Sequence, residues 1–446
     1  MRESLFSQFT NSLMKGLTKL IEMVNEKRSK KITYLHKTML RKEFSPDQKW
    51  DSASVNTNYV AADMVAMDSP LPIKKRHSVS VASGTLPKIG MKKVLKESQL
   101  NALENLSAQR AVATTDGQKT SIWQRIAKIL TDDPVACNIG LDEKNEYNFL
   151  YGLSRGIVLI QDTDNTGTGL RVSYGYLPDN KFGVTTKGTV GEEDIQRVIS
   201  KANADGNAIS HLMMSLNMYN KIRGERWARE MCADYQQQTF DSNSTLRKPG
   251  STLFNEAMKD SYGVELIVTD RTVRIEKDGK EIPVKPWDDN VIVFLTTDQV
   301  GALVWGELVE ARRPVAGVDY AIIEEYKMIK KYSTTEPAYQ EVTAGEAMCL
   351  PVIEGVDAIY TLDASNAIEV DETAEASDAS DEKITLNGKT YTKSAVVAAL
   401  KELGDTFKTD SPADSTVIAH INQLSDEDEA KLFKAIESAQ VESAQV

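Results

Sequence analysis

From Lys74 to Lys96 the chain carries seven basic residues and no acidic one, with Val79 and Val81 alternating against serines. Pro72, Gly84, Pro87 and Gly90 punctuate the run, and this pattern predicts two extended strands. The run has no long apolar stripe of the kind a buried strand pair needs. It is therefore expected to reach outward over another surface, because its open strand edges require a neighbour.

The chain around this excursion is large enough to hold a core of its own. At 446 residues, 41% hydrophobic and 26% charged, with a mean hydropathy of −0.36, its composition is that of a soluble globular protein. Membrane-spanning, fibrous and wholly disordered chains are excluded on these figures, and the length suggests about three domains. Cys137, Cys232 and Cys349 lie far apart, which argues against a disulfide scaffold or a metal knuckle and fits a reducing compartment. The net charge of −12 disfavours nonspecific binding of nucleic acid by the whole surface. That charge is uneven: residues 1–50 carry +6 and residues 366–446 carry −10.

Apolar residues at Leu5, Phe9, Leu13, Leu17, Leu20 and Val24 recur three or four apart, which predicts an amphipathic helix and not a signal peptide. Helical patterns follow around Ile122–Leu130 and from Leu141 to Leu150, with a break expected at Asp132-Asp133-Pro134. Further on, strands are expected at 157–160, 170–177, 264–268, 273–276 and 291–295, and helices at 192–204 and 215–231. Asp278-Gly279 between alternating strands is a strong hairpin signal. Residues 369–382 hold seven acids in fourteen positions and no aromatic residue, the mark of a self-repelling linker. Beyond it a hairpin around Asn387-Gly388 and helices at 394–403 and 426–436 predict a small accessory domain.

Several motifs invite a catalytic reading. Gly152-Leu153-Ser154-Arg155-Gly156 matches the G-x-S-x-G pattern of serine hydrolases, but the predicted order is helix then strand, the reverse of a nucleophile elbow. It reads better as a glycine-rich helix end. Asp162, Asp164 and Gly167 imitate a calcium loop, yet position twelve is Ser173 where a Glu belongs. Gly388-Lys389-Thr390 resembles the end of a phosphate loop without its first glycine. His36, His77, His211 and His420 stand alone, with no metal-ligand spacing. Glu324-Glu325 reads as surface, and Met213, Met214 and Met218 as core. No enzyme, metal site or cofactor is expected.

Three longer segments carry a resemblance. They are KANADGNAISHLMMSLNMYNKIRGERWARE (Lys201 to Glu230), GVELIVTDRTVRIEKDGKEIPVKPWDDNVIVFLTTDQVGALVWGE (Gly263 to Glu307) and KKYSTTEPAYQEVTAGEAMCLPVIEGVDAIYTLD (Lys330 to Asp363). Together, over about residues 50–365, they resemble the major capsid proteins of tailed bacteriophages, in the lambda-type group often called major capsid protein E. The resemblance implies an α+β fold shared by tailed-phage, encapsulin and herpesvirus shell proteins. Its parts would be an N-terminal arm (1–50), an extended loop region (51–110), and a peripheral domain with a spine helix (111–189, closed by 341–365). An axial domain (190–340), an acidic linker (366–383) and a C-terminal accessory domain with tail (384–446) would complete the chain.

The implied function is a non-enzymatic subunit that assembles with itself into pentamers and hexamers of an icosahedral head. That head would enclose double-stranded DNA without sequence-specific binding, and the subunit would meet portal, scaffold or decoration proteins but no membrane. The implied location is the virion capsid, with host cytoplasm during assembly. Leu5, Phe9 and Leu13 are expected to contact neighbouring subunits. Lys74, Lys75, Arg76, Lys88, Lys92 and Lys93 are expected to hold the extended loop on its neighbour. The competing readings are an encapsulin-like cellular compartment and, from another class, a hydrolase using Ser154.

Overall fold

The structure, a computed structural model, describes residues 32–54, 80–160, 170–238, 246–277, 280–335, 339–367, 383–386 and 389–392, with Val396 and Leu400. The chain divides into two units, residues 1–367 and 368–446. The described part of the first opens with helix α1 (Leu35–Met39), strands β1 (Leu40–Phe44), β2 (Lys49–Ser54), β3 (Ser80–Thr85) and β4 (Lys88–Leu95), and helices α2 (Glu97–Val112) and α3 (Asp116–Arg155). Then come β5 (Ile157–Ile160), β6 (Leu170–Ser173), β7 (Lys181–Val184), α4 (Glu192–Ala204), β8 (His211–Ser215), α5 (Leu216–Ile222), α6 (Arg226–Tyr235) and α7 (Ser251–Tyr262). Strands β9 (Glu265–Thr269), β10 (Val273–Lys277), β11 (Lys280–Val284), β12 (Val291–Leu295) and β13 (Gly301–Gly306) follow. Helix α8 (Val309–Arg312) and strands β14 (Asp319–Ile323), β15 (Lys327–Thr334), β16 (Gln340–Ile353) and β17 (Tyr360–Ala367) close the first unit. In the second unit β18 (Lys383–Leu386) pairs antiparallel with β19 (Lys389–Thr392), on either side of the expected turn. Val396 and Leu400, the described residues of the helix expected at 394–403, are helical and buried. The turn itself, the rest of that helix, the helix expected at 426–436, residues 368–382 of the acidic linker and residues 161–169 of the calcium-like loop lie outside the described residues.

Helix α3 corrects the expected break. It runs 40 residues without interruption, with Pro134 inside it. A proline has no N–H, so the carbonyl of Leu130, four residues earlier, loses its helical donor. Here Lys331 Nζ, reaching in from β15, donates to that carbonyl at 2.9 Å. The chain can therefore stay helical, because the group a proline orphans is satisfied from outside. Gly140 also lies within the helix, where Met91 of β4 crosses it so closely that a Cβ would collide with the sulfur. The helix ends at Gly156, whose φ of 70° is left-handed and whose N–H donates to Gly152 O at 2.7 Å.

One sheet lies against α3. Its strand order is β1-β13-β16-β15-β14, with β4 also paired to the 14-residue β16. Strand β1 is parallel to β13, while β16 is antiparallel to β13, β15 and β4. Leu141, Phe149, Leu150 and Leu153 from α3 share a core with Leu303, Val304, Leu350 and Val352 of this sheet. The second sheet has the order β7-β17-β12-β8-β9. On one of its faces Leu212, Met214, Ile292, Phe294 and Leu362 pack with Ile195 and Val198 of α4, Met218 of α5 and Phe254 of α7. On its other face Met213, Val291, Val293 and Leu295 join the core beneath α3. The continuously apolar sequence of β12 is thus explained by burial on both sides.

These pairings differ from the expected boundaries. Strands β13 to β15, placed by the sequence in a domain spanning 190–340, belong to the sheet under α3. Strands β7 and β17 belong to the second sheet, with the helices of 192–262. The long-range partner β16 decides this, and local sequence carries no trace of it. The basic run is corrected in the same way. Strand β4 does not reach outward but pairs along β16 from Leu95↔Glu341 to Lys88↔Met348. Strands β2 and β3 instead pair with each other from Lys49↔Thr85 to Ser54↔Ser80, with Trp50 buried, and the residues between them lie outside the described residues.

Candidate interaction site

Helix α3 turns a polar stripe inward. Asn138 and Asp142, four apart, and Asn145 and Glu146, three and four further on from Asp142, are each at most 1% exposed. Buried charge is costly unless it is paired and hydrogen-bonded. The segment just before β1 supplies the partners. The N–H groups of Leu35 and His36 each donate to Glu146 at 3.0 Å, and His36 Nδ1 lies 2.6 Å from the same carboxylate. Tyr34 donates its hydroxyl to Glu143 at 2.9 Å, and Arg271 bonds the same oxygen.

The turn between β14 and β15 closes the cluster. Fully buried Lys327 places its ammonium 2.6 Å from Asp142 and 3.0 Å from Glu324. Lys37 reaches the same two carboxylates at 3.1 and 3.0 Å. Glu324, read from the sequence as surface, is therefore gripped by two lysines from different parts of the chain. Burial works against its ionisation, but Lys327 and Lys37 outweigh that and hold its carboxyl at about 2. Glu324 and Glu325 both take left-handed φ values, 50° and 75°. That conformation costs roughly 1–2 kcal/mol for each such residue. The double lysine clamp offsets this strain and fixes the turn.

The expected site residues fall into two groups. Leu5, Phe9, Leu13, Lys74, Lys75 and Arg76 lie outside the described residues. Lys88, Lys92 and Lys93 all lie on β4 and are exposed. Lys88 pairs with Glu346 of its own chain at 2.6 Å, so its charge is engaged within the subunit. Glu346 also receives Lys330, which bonds Glu310 as well.

The hydrolase-like motif is accounted for by packing. Gly156 is the left-handed helix cap, and a Cβ on Gly152 would meet Tyr174 at 2.8 Å and Val158 at 2.9 Å. Ser154 is buried, donating to Tyr151 O at 3.3 Å, while Asp288 N donates to its oxygen at 3.4 Å. His211 sits on β8 with different partners, Ser210 and Asp298. Among the described residues no group of three His, Cys, Asp or Glu side chains is arranged to hold a metal. No described helix is long and apolar enough to cross a membrane. Burial pushes the thiols of Cys137 and Cys232 up to about 11 and that of Cys349 to about 12, so all three are held as thiols.

Sequence reasoning missed His36, Asp142, Glu146 and Lys327. The available signal was Asn138, Asp142 and Glu146 at four-residue spacing, interleaved with Leu141 and Phe149. A polar row beside an apolar one on the same helix marks a face that meets both a core and a charged partner.

No family profile matches the sequence, and no curated protein matches it in sequence. Solved structures are similar in fold. A protein of Escherichia coli CFT073 assigned as a prophage capsid protein aligns over 74% of this chain and 92% of its own, at 12% identity and a TM-score of 0.45. The capsid of cyanophage A-1(L) aligns over the same shares, at 12% identity and a TM-score of 0.37. An encapsulin from Synechococcus elongatus PCC 7942 covers 73% of this chain and 86% of its own, at 10% identity and 0.31. Each of these is named as a capsid or an encapsulin. The likeness is one of fold, a mixed assembly of helices and sheets.

Proposed function

We propose that this chain is the major capsid protein of a tailed phage, a subunit that assembles into the pentamers and hexamers of an icosahedral head around double-stranded DNA. The observation that carries the reading is helix α3, 40 residues long and lying on β16, with the second sheet and its helices occupying most of the sequence between α3 and β13. That plan, a spine helix with an inserted domain after an excursion and an arm, is what the resemblance of Lys201–Glu230, Gly263–Glu307 and Lys330–Asp363 implies. The two-stranded β2–β3 pair supports it, since strands that pair only with each other leave open edges for another copy. Head-to-tail contacts of that kind close into rings.

In this reading Leu5, Phe9 and Leu13 of the arm contact neighbouring subunits, and Lys74, Lys75, Arg76, Lys92 and Lys93 hold the excursion down. The opposite charges of the two chain ends, +6 and −10, suit electrostatic steering between copies. The host cytoplasm is the place of assembly, and portal, scaffold or decoration proteins are the further partners. Electron microscopy of the purified full chain tests the reading. Closed spherical shells are expected; rods, or a protein that stays monomeric under all assembly conditions, would overturn it.

A further inference from the structure

We propose that an apolar groove beside β1 is the seat of the amphipathic arm of the same chain in the unassembled subunit. The groove has a volume of about 470 Å³ and is lined by Phe44, Trp305, Leu308, Ile322, Tyr326 and Met328. Phe44 is 50% exposed, with its ring 4.7 Å from that of Trp305, and Ile322 on the opposite lip is 55% exposed. Val309, on α8 next to the lining residue Leu308, is 61% exposed. Large apolar side chains gathered at one groove mark a docking surface for an apolar partner.

The chain itself names the occupant. Thirty-one residues precede the described part, and they hold the stripe Leu5, Phe9, Leu13, Leu17, Leu20 and Val24 at the spacing of a helix laid in a groove. Their point of attachment is next to the groove. Lys37 and Lys327 grip the same Glu324, and Lys327 lines the groove floor. Val24 and Lys37 are thirteen positions apart, enough to span about 40 Å when extended. Charge agrees with the match. Residues 1–31 carry seven Lys and Arg against three Glu, while Glu307 and exposed Glu325 stand at the groove. The latch at His36 and Lys37 thus fixes the base of the arm where its apolar stripe can fold back onto Phe44 and Ile322. The seat belongs to the free subunit, so it leaves the arm available to neighbours once the copies assemble.

Paired cysteines in the full chain test this. The native cysteines are buried, so Leu13→Cys with Ile322→Cys offers the accessible thiols. Under mild oxidation of dilute protein, a chain carrying both substitutions should form an intrachain disulfide, read by peptide mass mapping. A mixture of the two single variants should give no covalent dimer. A disulfide that appears only between chains would overturn the proposal in favour of a second copy, and no disulfide in either case would also overturn it. As a second measurement, Ile322→Asp with Val309→Asp, both at exposed positions, should speed tryptic cleavage after Lys15 and Lys19 at least fivefold. An unchanged rate would count against docking. Neither readout requires shells to form.

Discussion

Lys331 Nζ donates a 2.9 Å hydrogen bond to the carbonyl of Leu130, the backbone group that Pro134 leaves without a helical donor. One side chain on β15 thereby repairs a defect in α3. The repair predicts a specific coupling. Lys331→Met should cost about 1–3 kcal/mol, the penalty of an unsatisfied buried carbonyl. In a Pro134→Ala background, where residue 134 regains its N–H, the same substitution should cost at least ~1 kcal/mol less. Chemical denaturation of the four variants measures this, and simple additivity would show the two residues to be independent.

Lys331 also predicts a pH dependence. Burial lowers its pKa from 10.5 to about 7, against the pull of Glu341, Asp133, Cys137 and Asp319. A lysine depressed in the fold binds fewer protons there than in the unfolded chain between those two values, so stability rises with pH across that window. Below about 7 both states are protonated and the full cost of the buried cation is present. The difference in unfolding free energy between the natural chain and Lys331→Met should therefore shift in favour of the natural chain from pH 7 to 10.5, by a few kcal/mol at ~1.4 kcal/mol per unit. A flat difference would mean the ammonium is better solvated than its burial implies.

Glu324 has the opposite sign. Its carboxyl, held at about 2 in the fold against 4.5 ordinarily, stabilises the protein above pH 4.5, and this contribution fades as pH falls towards 2. Glu324→Gln should cost ~1–3 kcal/mol at neutral pH by leaving Lys37 and Lys327 to share Asp142 as their one remaining carboxylate. It should also flatten the acid limb of stability between pH 4.5 and 2, as seen in midpoints of thermal melts.

Within Gly152-Leu153-Ser154-Arg155-Gly156 the glycines should matter more than the serine. Gly156→Ala must hold φ at 70° with its Cβ 2.7 Å from Tyr176, and a loss of ~2–4 kcal/mol is expected. Ser154→Ala removes two long hydrogen bonds, one to Tyr151 O and one from Asp288 N, and should cost under ~1.5 kcal/mol. Calorimetry would rank them; the reverse order would reopen a role for the hydroxyl.

On β4, replacing Lys92 and Lys93 with Ser should leave monomer stability within ~0.5 kcal/mol, since both are exposed. Shell yield should fall if they grip a neighbour. Normal shells from this variant would remove them from the interface.

Local pattern made much of the fold legible. The apolar run Val291–Leu295, the alternation in Val273–Lys277 and the helix Glu192–Ala204 all appear where periodicity places them. What stayed hidden depends on contacts far along the chain. Pro134 looks like a helix end until Lys331, almost two hundred residues later, is known to face it. Strand β4 looks like an outward loop because its partner β16 lies about 250 residues away. Of the buried cluster, Glu324 reads as surface in the sequence, because nothing near it announces Lys37, while Lys88, Lys92 and Lys93 are legible only as charge. The left-handed turn at Glu324-Glu325 could not be expected from two residues that usually avoid it.

Strand β12 gives its alternate side chains to two different cores, Val293 to one and Phe294 to the other. Neither core can melt without exposing the far side of that strand, so the two should lose structure together. Heating should show a single calorimetric transition for residues 1–367, and amide exchange along β12 should be among the slowest in the chain.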